Sequence, residues 1–349
     1  METFETLVRA EFAAKNTYLN TASTGLLPGR TVTAMRAAVD SVAAGRPADM
    51  FADVEAARAS FARLVGVPGR RVAAGASVAV YSGLIAASLP PGAEVLTAEA
   101  EFSSVVTPFH VRGDLKVRAV PLERMAESVH SGTALVAVSA AQSADGRTAD
   151  LDGIREAARE HGARTYVDAS QAAGWLPLRA GAYDFVSSVA FKWLVCPRGV
   201  AFLVVPEDFG GLTPVFAGWV AGEAPWDSCY GPVEELAHSA RRFDESPALF
   251  AYAGARHSLE LLEELGVERI HEHDLALADR FRAGLRDRGH TPVPAPDSPI
   301  VSVSGLGRLQ GELSRAGVEV SDRAGHLRAA FHLYNTPDDV DRLLDVLPG

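Results

Sequence analysis

A chain of 349 residues, 48% hydrophobic and 22% charged, carries enough apolar surface for one large α/β domain with an appendage, or for two domains. This composition excludes a disordered or collagen-like polypeptide. Its 33 Lys and Arg against 44 Asp and Glu leave a formal charge of −11, which disfavours non-specific attraction to nucleic acid or anionic lipid.

The acidic start, Met1-Glu-Thr-Phe-Glu, lacks the basic and apolar regions of a secretory signal. Two cysteines, Cys196 and Cys229, are too few for a disulfide framework or a Cys-rich zinc site. Together these features predict a cytoplasmic protein. A helix is expected over residues 29–45. Residues 72–93 carry no charge, but glycines, hydroxyls and Pro90-Pro91 interrupt them, so they read as a buried loop, helix and turn and not as a membrane span. The helix in this stretch is placed at 77–89.

From about residue 70 to 206, short β-branched runs alternate with amphipathic stretches. Strands are expected at 94–98, 116–120, 134–139, 164–168, 184–188 and 199–205. A helix at 151–160 is capped by Asp150 or Asp152 and stopped by Gly162. Such alternation predicts a mostly parallel sheet with helices on both faces. Beyond residue 246 come long charged helices at 247–265 and 268–288. A loop with four prolines in residues 291–299 follows, then a strand at 300–303 and a last helix at 338–347. The expected division is an N-terminal segment, 1–45, packing with the small domain, a large domain, 46–246, and a small C-terminal α+β domain, 247–349.

Motifs for the commoner cofactors are missing. There is no G-x-x-x-x-G-K-[ST] and no G-x-S-x-G, and Gly305-Leu-Gly307 lacks the third glycine of a dinucleotide fingerprint. His271 and His273, two apart on a helix, diverge and predict solvated surface, not a metal site. Four other pieces fall where open α/β sheets bind ligands, at strand C-termini. Ala74-Gly75-Ala76-Ser77 opens a helix and suits a phosphate. Asp168 ends a strand, as a cap or as the partner of a protonated ring nitrogen. Lys192 lies between Phe191 and Trp193, where a lowered pKa makes an imine-forming amine. Arg328 precedes Phe331-His-Leu-Tyr-Asn335 and suits a two-pronged grip on a carboxylate.

These are the parts of pyridoxal-phosphate chemistry on amino acids. The pair Val167-Asp168-Ala-Ser-Gln171 and Lys192-Trp-Leu-Val-Cys-Pro-Arg-Gly199 resembles the motifs of the class V aminotransferase and cysteine desulfurase-like family of fold-type I pyridoxal-phosphate enzymes. The resemblance extends from Tyr18–Gly25 to the segment 328–336. It implies an α/β fold with a mostly parallel seven-stranded sheet and a small α+β C-terminal domain. It also implies pyridoxal phosphate as cofactor, an amino acid as substrate, and a homodimer with shared active sites.

By the same resemblance Lys192 is catalytic and Asp168 holds the pyridine nitrogen. Gln142 and Gln171 reach the cofactor's edge, Phe102 stacks on its ring, and Gly75, Ala76, Ser77 and Ser188 serve its phosphate. Ser246 crosses to the partner subunit's phosphate, and Arg328, Asn20 and Thr24 receive the substrate. No metal is implied. Phe102 stands where many members have a histidine, and Glu245 where a glycine is common.

Neither cysteine sits where a desulfurase carries its sulfur acceptor. The resemblance therefore points to C–S β-elimination of a cysteine S-conjugate in small-molecule biosynthesis, like the S-conjugate lyase branch. The alternatives are decarboxylating oxidative deamination or transamination of a similar substrate, cysteine desulfuration, and a non-catalytic binding protein that kept the fold. The aromatic loop 216–230, with Trp219, Trp226 and Tyr230, is expected as a substrate wall or a dimer contact.

Overall fold

The computed structural model describes residues 3–46 and 49–348. Helix α1 (Phe4–Glu11), strand β1 (Thr17–Tyr18) and helices α2 (Gly29–Ala43) and α3 (Met50–Leu64) lead into the central sheet. Its strands are β2 (Val72–Gly75), β3 (Glu94–Ala98), β4 (Lys116–Val120), β5 (Thr133–Ser139), β6 (Arg164–Asp168), β7 (Phe185–Val189) and β8 (Ala201–Val204), with helices α4 (Val78–Ser88), α5 (Ser103–Val111) and α6 (Leu151–His161) in the connections. The spatial order is β2-β8-β7-β6-β5-β3-β4; β8 runs antiparallel to both neighbours and the other pairs are parallel.

Alternating residues of these strands feed separate cores on the two faces. Val72, Ala74, Phe202 and Val204 pack with residues of α3, whereas Ala73, Ala201 and Leu203 pack with residues of α4 and α5. Helix α4 carries no charge and buries Val78, Tyr81, Ser82, Leu84, Ile85 and Ala86, with only small alanines, Ala79 and Ala87, exposed. That uncharged run begins as a strand, not a loop: Val72-Ala-Ala-Gly75 is wholly buried beside β8. For α6, the Asp150 carboxylate accepts from the Gly153 N–H at 3.0 Å, and left-handed Gly162 ends the helix.

Helices α7 (Leu249–Leu265) and α8 (Val267–Asp287) precede a second sheet. Its elements are β9 (Ile300–Val303), α9 (Gln310–Arg315), β10 (Val318–Glu319), β11 (Ser321–Arg323), β12 (His326–Ala330) and α10 (Pro337–Val346). Here β11, β12 and β9 form an antiparallel sheet in that order, and β10 pairs in parallel with β1. Leu19 joins Phe281, Phe331 and Leu343 in one core, so the chain's beginning is sewn to its end. The stretch at His271 is not solvated surface. Asp274 is fully buried against His332, and His271 stacks on Trp175 with centroids 5.8 Å apart. Among the described residues no helix is long and apolar enough to cross a membrane.

Candidate active site

The C-terminal edge of the sheet gathers the chemically useful residues. Strand β2 runs out at Gly75, and Ala76-Ser77 turns the chain into α4, with the Ser77 Oγ accepting from the Val80 N–H at 3.4 Å. The Ala76 and Ser77 N–H groups meet no acceptor among the described residues. The turn therefore presents free donors at the positive end of a helix. Strand β6 delivers Asp168, whose Oδ1 accepts from the Ser170 N–H at 2.9 Å and Oγ at 2.6 Å. Its Oδ2 has no partner among the described residues. Burial pushes the Asp168 carboxyl up, and Ser170 and Lys192 pull it back.

Lys192 lies three residues past β7, buried beside the rings of Phe102 and Phe191, whose centroids are 5.2 and 5.9 Å from Nζ. Burial lowers its amine to about 8; Asp168 opposes this, and Arg328, Arg198 and Arg323 add to it. The loop is pinned from four directions. The Gly25 N–H donates to the Phe191 carbonyl at 2.9 Å, the Ser258 Oγ to that of Val195 at 2.8 Å, and the His332 Nε2 to that of Trp193 at 2.9 Å. The Trp193 Nε1 donates to the Gln171 Oε1 at 2.7 Å. A Cβ on Gly25 would lie 2.1 Å from the Lys192 carbonyl oxygen, so this approach needs glycine.

A cavity of about 410 Å³ joins Ala76, Ser77, Phe102, Asp168 and Lys192. Ser23, Ser143, Ser170, Arg198 and Arg323 also line it; sequence reasoning had singled out none of them for a role. The only available signal was adjacency, since Ser23 precedes Thr24, Ser143 follows Gln142, and Arg198 lies inside the lysine motif. Arg328 sits behind Ser23 and Ser143, fully buried. It donates to the Ser143 carbonyl, to the Ser143 Oγ at 3.2 Å and to the Ser23 Oγ at 2.7 Å, while its Nε is unpartnered. No carboxylate pairs with it among the described residues, and burial lowers its pKa to about 9.

Other expected site residues stand differently. Gln142 lines a smaller adjoining cavity of about 190 Å³ and donates to the Glu101 carboxylate at 2.9 Å. Gln171 spends both amide hydrogens inside the protein, on the Ala22 carbonyl and the Ser143 Oγ. The Ser188 Oγ turns to the Val189 carbonyl at 3.0 Å, and the Asn20 Oδ1 accepts from Ser321 at 2.6 Å. The Thr24 Oγ1 accepts from Arg198 at 2.8 Å. The Gly75 carbonyl accepts from the Tyr252 hydroxyl at 2.8 Å, and Ser246 is exposed, outside this cavity. Cys196 is buried and its thiol is pushed up, while Cys229 is exposed; neither lines the cavity. Trp219, Trp226 and Tyr230 do not line it either.

These residues fit pyridoxal phosphate. Free N–H donors suit its phosphate, the unpartnered oxygen that Asp168 turns to the cavity suits its ring nitrogen, an easily neutralised amine suits its aldehyde, and a phenyl ring suits its face. Glu245 stands close to the phosphate turn, its carboxyl carbon 3.6 Å from where a Gly75 Cβ would be and its Oε1 unpartnered. Burial and Asp244 push this carboxyl up, toward the neutral form that tolerates an anion.

The family model described as "Aminotransferase class-V" matches residues 17–343. Isopenicillin N epimerase of Streptomyces clavuligerus is 30% identical over 94% of this chain and 93% of its own. The uncharacterized aminotransferase YcbU of Bacillus subtilis is 26% identical over 83% and 82%. Among solved structures, a complex of the cystine C-S lyase C-DES with its reaction product cysteine persulfide superposes with a TM-score of 0.86, at 22% identity over 95% of this chain and 97% of that one. The Escherichia coli cysteine desulfurase CsdA gives 0.85, at 20% identity over 99% and 98%.

Proposed function

Because the chain belongs to the class V aminotransferase family of pyridoxal-phosphate enzymes that act on amino acids, we propose that Lys192 labilises the Cα–H bond of a cysteine S-conjugate and that the outcome is β-elimination. The single observation that carries this reading is the composition of the cavity. Lys192 is its one group suited to moving a proton at Cα near neutral pH, and neither cysteine reaches it to accept sulfur.

Bound pyridoxal phosphate supplies an aldehyde that joins an amine and a ring that withdraws electrons from Cα. Lys192 would be the residue to join that aldehyde and, as a free amine, to take the Cα proton, a task for an amine whose pKa is near the working pH. The free Oδ2 of Asp168 would hold the ring nitrogen in its protonated form. Ala76 and Ser77 would receive the phosphate, Phe102 would cover the ring face without exchanging protons, and Arg328 would take the α-carboxylate. The Cβ–S bond then breaks with its electron pair on sulfur, which leaves as a thiol after taking a proton. Water converts the remainder to pyruvate and ammonia.

A second reading is epimerisation at Cα, favoured by 30% identity with an isopenicillin N epimerase over nearly the whole chain. One experiment separates the readings: the holoenzyme is incubated with an S-alkyl-L-cysteine in D₂O and the products are read by mass spectrometry and chiral chromatography. Pyruvate and thiol in equal amounts are expected. A deuterated D-enantiomer with its C–S bond intact would replace elimination by epimerisation. An intact thioether lacking its amine would mean transamination, or decarboxylating deamination if carbon dioxide is also released.

A further inference from the structure

Three guanidiniums converge on one side of the cavity, and oxygens of hydroxyls and carbonyls hold all of them. The Arg198 Nη2 donates to the Thr24 Oγ1 at 2.8 Å, and its guanidinium lies 4.1 Å from the centroid of the Phe191 ring. Arg323 donates to its neighbour's carbonyl at Asp322 and, at 2.9 Å, to the Ser23 Oγ. Arg328 donates to that same Ser23 Oγ at 2.7 Å and, at 3.4 Å, to the Ser321 Oγ. Two like charges thus share one hydroxyl, with a third on the next residue and a lysine across the cavity. Asp168, deep at the other end, is the one carboxylate lining this cavity. Glu101, in the adjoining cavity, is consumed by the N–H groups of Phe102 and Ser139, the Ser139 hydroxyl and Gln142.

Such an excess of positive charge, on a chain of formal charge −11, is uncompensated until an anion arrives. One α-carboxylate answers Arg328. It leaves Arg198 and Arg323, which are exposed at the cavity's mouth yet fixed in direction by their hydroxyl anchors and, for Arg198, by stacking. Arg323 also lines the adjoining cavity of about 190 Å³, which extends the space a side chain can occupy.

We propose that the substrate carries a second carboxylate, at the far end of its side chain, bound by Arg198 and Arg323. For the reaction proposed above, on which this inference rests, the substrate class becomes a cysteine whose sulfur substituent ends in an acid. Guanidiniums prefer carboxylates because two parallel N–H groups match two oxygens, and each such contact at a partly desolvated site discriminates strongly against a neutral group.

The holoenzyme is titrated with S-carboxyethyl-L-cysteine and with neutral S-propyl-L-cysteine. Binding is read from the change in cofactor absorbance and turnover separately from products. The acid is expected to bind at least about tenfold more tightly. Arg198→Met and Arg323→Met are each expected to bring the ratio of the two dissociation constants toward one, at unchanged cofactor content. Equal affinity of the wild type for the two compounds, or a ratio untouched by both substitutions, overturns the inference. The two readings fail separately. Preferential binding of the acid without pyruvate keeps the substrate class and removes elimination, whereas equal binding with pyruvate from both removes only the acid preference.

Discussion

At the scale of residues, the site is governed by how burial sets charge. Lys192 in the cofactor-free protein titrates near 8 instead of 10.5. The neutral amine that attacks an aldehyde therefore grows about tenfold per pH unit below 8 and levels off above it. Stopped-flow mixing of apoprotein with pyridoxal phosphate is expected to show that profile; a rate still climbing tenfold per unit at pH 9 would contradict it. The same shift has a stability consequence of fixed sign. Because the folded state releases this proton before the unfolded state does, the contribution of Lys192 to stability rises with pH between about 8 and 10.5. That Asp168 and Lys192 meet in one cavity was legible from residue type and motif spacing. Arg323 and Ser23 were not, because an exposed arginine and a loop serine acquire meaning only once folding sets them 2.9 Å apart.

At the scale of elements, the loop from Val189 to β8 is held by partners far away in sequence, and two substitutions probe it. Gly25→Ala places a Cβ against the Lys192 carbonyl; the backbone must give, at a cost of about 1–3 kcal/mol. Cofactor uptake is expected to fall at least about tenfold, since a displaced lysine loses near-attack geometry. Thermal unfolding and absorbance titration read the two effects, and normal uptake would mean the loop adapts freely. His332 lies between two oxygens, the Asp274 carboxylate at 2.8 Å and the Trp193 carbonyl at 2.9 Å. His332→Leu leaves the Asp274 carboxyl buried without its hydrogen-bond partner and is expected to cost about 2–3 kcal/mol, most of it recovered in the double variant with Asp274→Leu. Urea unfolding decides; a single variant within 1 kcal/mol of wild type, on the order of a neutral surface change, would deny the pair its role.

Strands β3, β4 and β6 were readable to the residue because valine, leucine and threonine alternate with turn residues at their ends. Strand β2 was not, because Ala-Ala-Gly has little intrinsic strand preference and is fixed by its pairing with β8. Nor does a helical pattern announce that Asp274 points inward, which is decided by a histidine 58 residues away.

At the scale of the whole molecule, several apolar side chains find no cover within one chain. Trp226 is 67% exposed and Tyr230 95%, with Phe216 and Val215 near half. Trp219 and Trp226 lie tilted to each other with centroids 5.1 Å apart and meet Phe51 edge-on, away from the cavity. We propose that they meet a second copy of the chain and that exposed Ser246 serves the partner's phosphate site. Light scattering is expected to give twice the 36.9 kDa of the chain, and Ser246→Ala to release cofactor faster without changing that mass. A monomeric mass with full cofactor retention would sink both statements.

The seam between β1 and β10 bears on how the protein is made. A ribosome that has finished β8 has synthesised every strand of the central sheet, along with Asp168 and Lys192. Leu19 still waits for Phe331, Tyr18 for Glu319, and the Trp193 carbonyl for His332, some 139 residues downstream of it. Contacts of such sequence separation form late. The nascent chain therefore owns the reactive amine before it owns the residues that aim it.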